Sequence, residues 1–169
     1  TIAASGYLNG ASDNSYIGVF RGAPGTSTAY PWAEYTTPSV LQLAKVGDLN
    51  GDGRADFAIV ANDRRTVLVF LGRTPNLAMA PNAMFTSSSA TWIAGSDTNG
   101  DGYSDLIIGG TGSTTPTETS PGPARVFLGS STGVNPVSSA TLGSSAMPIY
   151  SETIAAGDIN GDGLADIAT

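Results

Sequence analysis

Three short stretches of this chain repeat almost letter for letter, and no other feature limits its possible folds as strongly. Gly47-Asp-Leu-Asn-Gly-Asp-Gly-Arg-Ala-Asp56, Ser96-Asp-Thr-Asn-Gly-Asp-Gly-Tyr-Ser-Asp105 and Gly157-Asp-Ile-Asn-Gly-Asp-Gly-Leu-Ala-Asp166 align without gaps. Their leading aspartates, Asp48, Asp97 and Asp158, lie 49 and 61 positions apart. A second landmark recurs as Tyr16-Ile-Gly-Val-Phe-Arg-Gly22, Thr66-Val-Leu-Val-Phe-Leu-Gly72 and Ala124-Arg-Val-Phe-Leu-Gly129. A period of about 50 to 60 residues is that of one supersecondary unit stacked on copies of itself.

Each unit reads as strands. A short apolar run precedes each Asp-rich motif (40–46, 91–94, 153–156) and another follows it (57–61, 106–108, 167 onward). The Val-Phe-Leu-Gly run supplies a third strand, rich in β-branched and aromatic residues and stopped by glycine. A more polar fourth strand is expected near 29–36, 83–87 and 137–142. Glycine or proline interrupts nearly every window in which an apolar 3.6 period could build, so helix should be scarce. The Ser/Thr/Pro/Gly-rich segments 111–123 and 129–136 read as connecting loops, as does 7–13. The expected fold is all-β, built of four-stranded antiparallel β-propeller blades. We expect one domain over 1–169, with units at about 1–39, 40–90 and 91–150 and the start of another at 151–169. Three units run from cut to cut, which implies part of a larger propeller, or copies of the chain that complete one another as a homodimer or a longer assembly.

The motif Asp-x-Asn-x-Asp-Gly-x-x-Asp sets oxygen donors at loop positions one, three, five and nine, with a backbone carbonyl at seven. Calcium takes six to eight oxygens in flexible geometry, and the glycine at position six permits the sharp turn such a loop needs. Position twelve is Ile59, Ile108 or Thr169, not the glutamate of an EF-hand, and the flanks are strand-like. Charge agrees with ligand supply. The net charge is −7, and nine of the 14 acidic residues sit in the three motifs; adding six positive charges from three divalent ions to −7 leaves −1.

The order apolar strand, Gly-Asp-x-Asn-Gly-Asp-Gly-x-x-Asp, apolar strand, Val-Phe-Leu-Gly resembles the FG-GAP repeat of integrin α-subunit propellers and their bacterial relatives, over nearly the whole chain. The resemblance implies a calcium loop between the first and second strands of each blade, about three ions per chain, and a non-enzymatic extracellular or cell-surface module for recognition or adhesion. The ligands it implies are Asp48, Asn50, Asp52, Asp56 and the Arg54 carbonyl; Asp97, Asn99, Asp101, Asp105 and the Tyr103 carbonyl; and Asp158, Asn160, Asp162, Asp166 and the Leu164 carbonyl. Asparagine at position three in all three copies departs from the all-Asp loop and removes one negative charge per site. The Gly-Ala-Pro signature of the repeat occurs once, at Gly22-Ala23-Pro24.

Composition narrows the alternatives. With no cysteine and no histidine, the chain cannot build a thiol nucleophile, a disulfide, a Ser-His-Asp triad or an ordinary zinc site. Its acidic balance gives no basic stripe for nucleic acid. No apolar run of membrane-spanning length occurs. The chain begins at Thr1 without a signal segment, which reads as a processed or excised product. The carboxylates outside the motifs, Asp13, Glu34, Asp63, Glu118 and Glu152, stand singly, so a carbohydrate-active enzyme is the weaker reading. A lectin, or an accessory domain of such an enzyme, is the alternative that Tyr30, Trp32 and Tyr35 suggest as a sugar-stacking set on the outer strand. A self-assembling structural subunit is another. Protein and glycan ligands both remain open. Trp92 is expected in the core, and Arg64-Arg65 at an exposed hairpin tip.

Overall fold

The computed structural model describes residues 2–7, 14–20, 22–23, 26–27, 33–73, 80–86, 90–110, 123–143 and 153–169. These residues form strands and connections only. The first sheet orders β1 (Ile2–Tyr7), β2 (Asn14–Phe20) and β5 (Ala33–Pro38), with a small hairpin of β3 (Gly22–Ala23) and β4 (Thr26–Ser27) between the last two. The second is four-stranded: β6 (Val40–Gly47), β7 (Asp56–Ala61), β8 (Thr66–Phe70) and β9 (Ala83–Thr86). The third repeats that order with β10 (Trp92–Ser96), β11 (Asp105–Gly109), β12 (Arg125–Phe127) and β13 (Ala140–Thr141), and β14 (Ala155–Gly157) pairs with β15 (Asp166–Ala168). All these pairings are antiparallel. No helix among the described residues is long and apolar enough to cross a membrane.

The middle strands explain why the sequence shows continuous apolar runs there and not alternation. In β7 and β11 nearly every residue is buried, because each face of the sheet meets a neighbouring sheet. On β7, Ala58 and Val60 join Val46, Val67, Val69, Ile93, Leu106, Ile108 and Phe127 in one core. The alternate residue Ile59 joins Ile17, Val19, Leu68 and Phe70 in another, on the side of the first sheet. A third core gathers Ile107, Ala124, Val126 and Ile154. Sheets therefore stack face to face in chain order, as propeller blades do. Fully burying an aliphatic side chain of this size contributes about 1.5–3 kcal/mol, so these three cores dominate the favourable side of folding.

First strands lie against one another, β6 against β10 and β10 against β14. Two devices permit the close approach. A Cβ on Gly95 would be driven into the Val46 backbone. The Gln42 side chain also takes the place of a ladder partner, accepting from Ile93 N at 2.7 Å and donating to Ile93 O at 3.3 Å.

Several expectations need correction. Trp92 is 37% exposed, not core, because Ile93 takes the inward position on β10 and the pleat turns its neighbour outward. Of the aromatic set, Tyr35 packs edge-on against Phe70 with centroids 5.0 Å apart and belongs to the second core, while Tyr30 and Trp32 lie outside the described residues. The fourth strand of the third sheet is only Ala140–Thr141. Tyr7 ends β1, whereas 8–13 and 111–122 lie outside the described residues. Arg64 and Arg65 do sit exposed in the turn from β7 to β8, with Arg64 at φ 54°.

Candidate metal centre

The three Asp-rich motifs form the turns from β6 to β7, β10 to β11 and β14 to β15, so all three lie at the same end of their sheets. Each is built by one hydrogen-bond scheme. The position-one carboxylate accepts from the position-six amide: Gly53 N to Asp48 at 2.7 Å, Gly102 N to Asp97 at 2.8 Å and Gly163 N to Asp158 at 2.9 Å. The asparagine oxygen accepts from the position-five amide, at 3.2 Å in Asn50, 3.1 Å in Asn99 and 2.8 Å in Asn160. Position five accepts in turn from position seven, Arg54 N to Asp52, Tyr103 N to Asp101 and Leu164 N to Asp162. Such Asx turns demand left-handed backbone at two glycines per loop, seen at Gly51 and Gly53, Gly100 and Gly102, and Gly161 and Gly163.

Position nine differs in kind. Asp56 and Asp105 are buried, and each carboxylate joins two parts of its blade. Asp56 accepts from Leu49 N at 2.7 Å and Gly72 N at 2.7 Å; Asp105 accepts from Thr98 N at 2.9 Å and Gly129 N at 3.0 Å, and the Thr98 hydroxyl also donates to it. Asp166 accepts from Ile159 N at 2.9 Å. Gly72 and Gly129 are the glycines that end the Val-Phe-Leu-Gly runs, so the two landmarks of the repeat are hydrogen-bonded to each other. A side chain at either glycine would strike the backbone of Ala55 or Ser104. Sequence reasoning passed over these glycines as ligand-loop partners, although their recurrence was the available signal.

Neighbouring loops are also linked. Ser104 N donates to Asp48 O and Ala165 N to Asp97 O, both at 2.8 Å. The Tyr103 ring occupies the space over Gly51, and Leu164 that over Gly100.

The electrostatics separate buried from exposed acids. Burial pushes the Asp56 pKa above its usual value, amide donation from Gly72 and Leu49 opposes that, and repulsion from Asp48 and Asp52 adds to the rise. Amide donation from Gly163 holds exposed Asp158 below the usual range despite a smaller desolvation effect, with help from Gly161 and Asp162. Arg54 approaches Asp52 at 3.5 Å, the one ion pair among the described residues. In chemistry the donors fit a hard cation, being carboxylate, amide and carbonyl oxygens without sulfur or imidazole. In placement, the fifteen sequence-derived positions fall into three loops of five, but no three acidic side chains converge on one point among the described residues.

The FG-GAP-like repeat matches this chain over residues 48–108 and again over 97–169, so each match takes in two of the Asp-rich loops. No curated protein matches the chain.

Proposed function

This chain belongs to the FG-GAP-like repeat family, and from that premise we propose that its three loops hold calcium as structural ions in a non-enzymatic extracellular module for recognition or adhesion. The observation that carries the reading is the threefold recurrence of one oxygen-donor scheme, in which like charges gather around Asp56 without a matching set of cations from the chain. Asp48, Asn50, Asp52, Asp56 and the Arg54 carbonyl would hold the first ion, and the equivalent residues the other two. The ion would neutralise the carboxylates gathered in each loop. Binding to the native state alone stabilises a fold in proportion to the logarithm of ligand concentration over dissociation constant.

A catalytic role has little to stand on. Asp63, which lies outside the loops, is taken up by the Arg65 and Thr66 amides and the Thr66 hydroxyl. Native mass spectrometry of the whole chain in millimolar calcium tests the proposal. Up to three ions per chain, removed by chelator with a fall in Tm, are expected; a chain that stays calcium-free contradicts it.

A further inference from the structure

Position seven carries a different kind of side chain in each copy, charged in Arg54, aromatic in Tyr103 and aliphatic in Leu164. Tyr103 and Leu164 turn away from their own loops and lie against Gly51 and Gly100 of the loop before. Arg54 instead folds back on its own loop. Its guanidinium stands 3.5 Å from Asp52 Oδ2 and donates to Asp52 O at 3.2 Å. In the other two loops that same second oxygen of position five accepts from a neutral donor, Asn99 Nδ2 to Asp101 at 2.9 Å and Asn160 Nδ2 to Asp162 at 3.0 Å.

A cation entering the first loop therefore meets a carboxylate already paired with a full positive charge, whereas in the second and third it displaces only an amide. Loop charge counts run the same way: three aspartates offset by one arginine in the first loop, and three aspartates without a basic residue in each of the others. Ligand charge count is a main determinant of calcium affinity in loops of this kind.

We propose that Arg54 sets a graded calcium response in which the first loop fills last, an inference that rests on the reading of the loops as calcium sites. An exposed pair is worth up to about 1 kcal/mol, which is about fivefold in affinity, so a midpoint difference of that size is expected.

The test is a calcium titration of the whole chain followed by the backbone amide resonances of Gly53, Gly102 and Gly163, one reporter per loop. Gly102 and Gly163 should shift at lower calcium than Gly53. Arg54→Leu keeps the position-seven carbonyl and should bring Gly53 into line with the others. Leu164→Arg should delay Gly163 by a similar factor. Equal midpoints in the unmodified chain, or a Gly53 midpoint untouched by Arg54→Leu, overturn the grading while leaving calcium binding intact. Three amides that stay silent into the millimolar range overturn both readings together.

Discussion

At the scale of single residues, the acids of one motif do different work, and substitution separates them. Asp52 is exposed on the loop, so Asp52→Ala should lower Tm in calcium and leave it nearly unchanged in chelator. Asp56 is buried and serves two amide donors, Leu49 N and Gly72 N. Asp56→Asn offers one oxygen where two are needed and sets an N–H against an N–H, costing about 1–3 kcal/mol in urea denaturation already in chelator, and more in calcium, where an ion ligand is altered as well. Equal loss in both conditions for Asp52→Ala would remove the metal role. The two carboxylates with opposite shifts also make a pH prediction. Partial burial alone would raise Asp63, but the Arg65 and Thr66 amides, the Thr66 hydroxyl and the Arg65 charge outweigh it and hold the pKa below 3.8. Its turn therefore contributes stability that is complete above that unfolded value and fades as pH falls through the lower folded one. In chelator, Asp63→Ala should be less stable than the unmodified chain near neutral pH, and the gap should close on acidification below about pH 4. Asp56 has the reverse sign: its folded pKa lies above 3.8, so protonation as pH falls through that raised value favours the fold.

Among elements, the informative contacts run between first strands and between loops. No backbone ladder joins β6 to β10, and the Gln42 side chain supplies the missing pair of hydrogen bonds. Gln42→Leu keeps the bulk, leaves Ile93 N and O without that partner, and should cost about 1–3 kcal/mol in equilibrium unfolding. Gly95→Ala should cost at least as much, because the added methyl meets Val46 backbone and not a side chain that can move aside. Unchanged stability in the Gly95→Ala variant would mean that β6 and β10 stand further apart. The strands around the loops were legible from sequence because apolar runs bracket each Asp motif. Short β13 and outward Trp92 were not, since a polar stretch does not show where a strand ends and an apolar run such as 91–94 does not show which of its residues the pleat turns inward.

Over the whole molecule, the repeat makes stability a matter of neighbours. Leu49 is fully buried under the third sheet, with Ser130 N donating to its carbonyl, while its equivalent Ile159 is 76% exposed. What the sequence determined by itself was the unit: the period, the all-β character, the loop positions and the donor chemistry, because these follow from local spacing and residue type. The tertiary structure alone decided how units meet. It buried Asp56 and Asp105 as clasps between loop and third strand, seated Tyr103 over Gly51, and turned Arg54 back toward Asp52, since each depends on residues from separate strands or loops being brought together by packing.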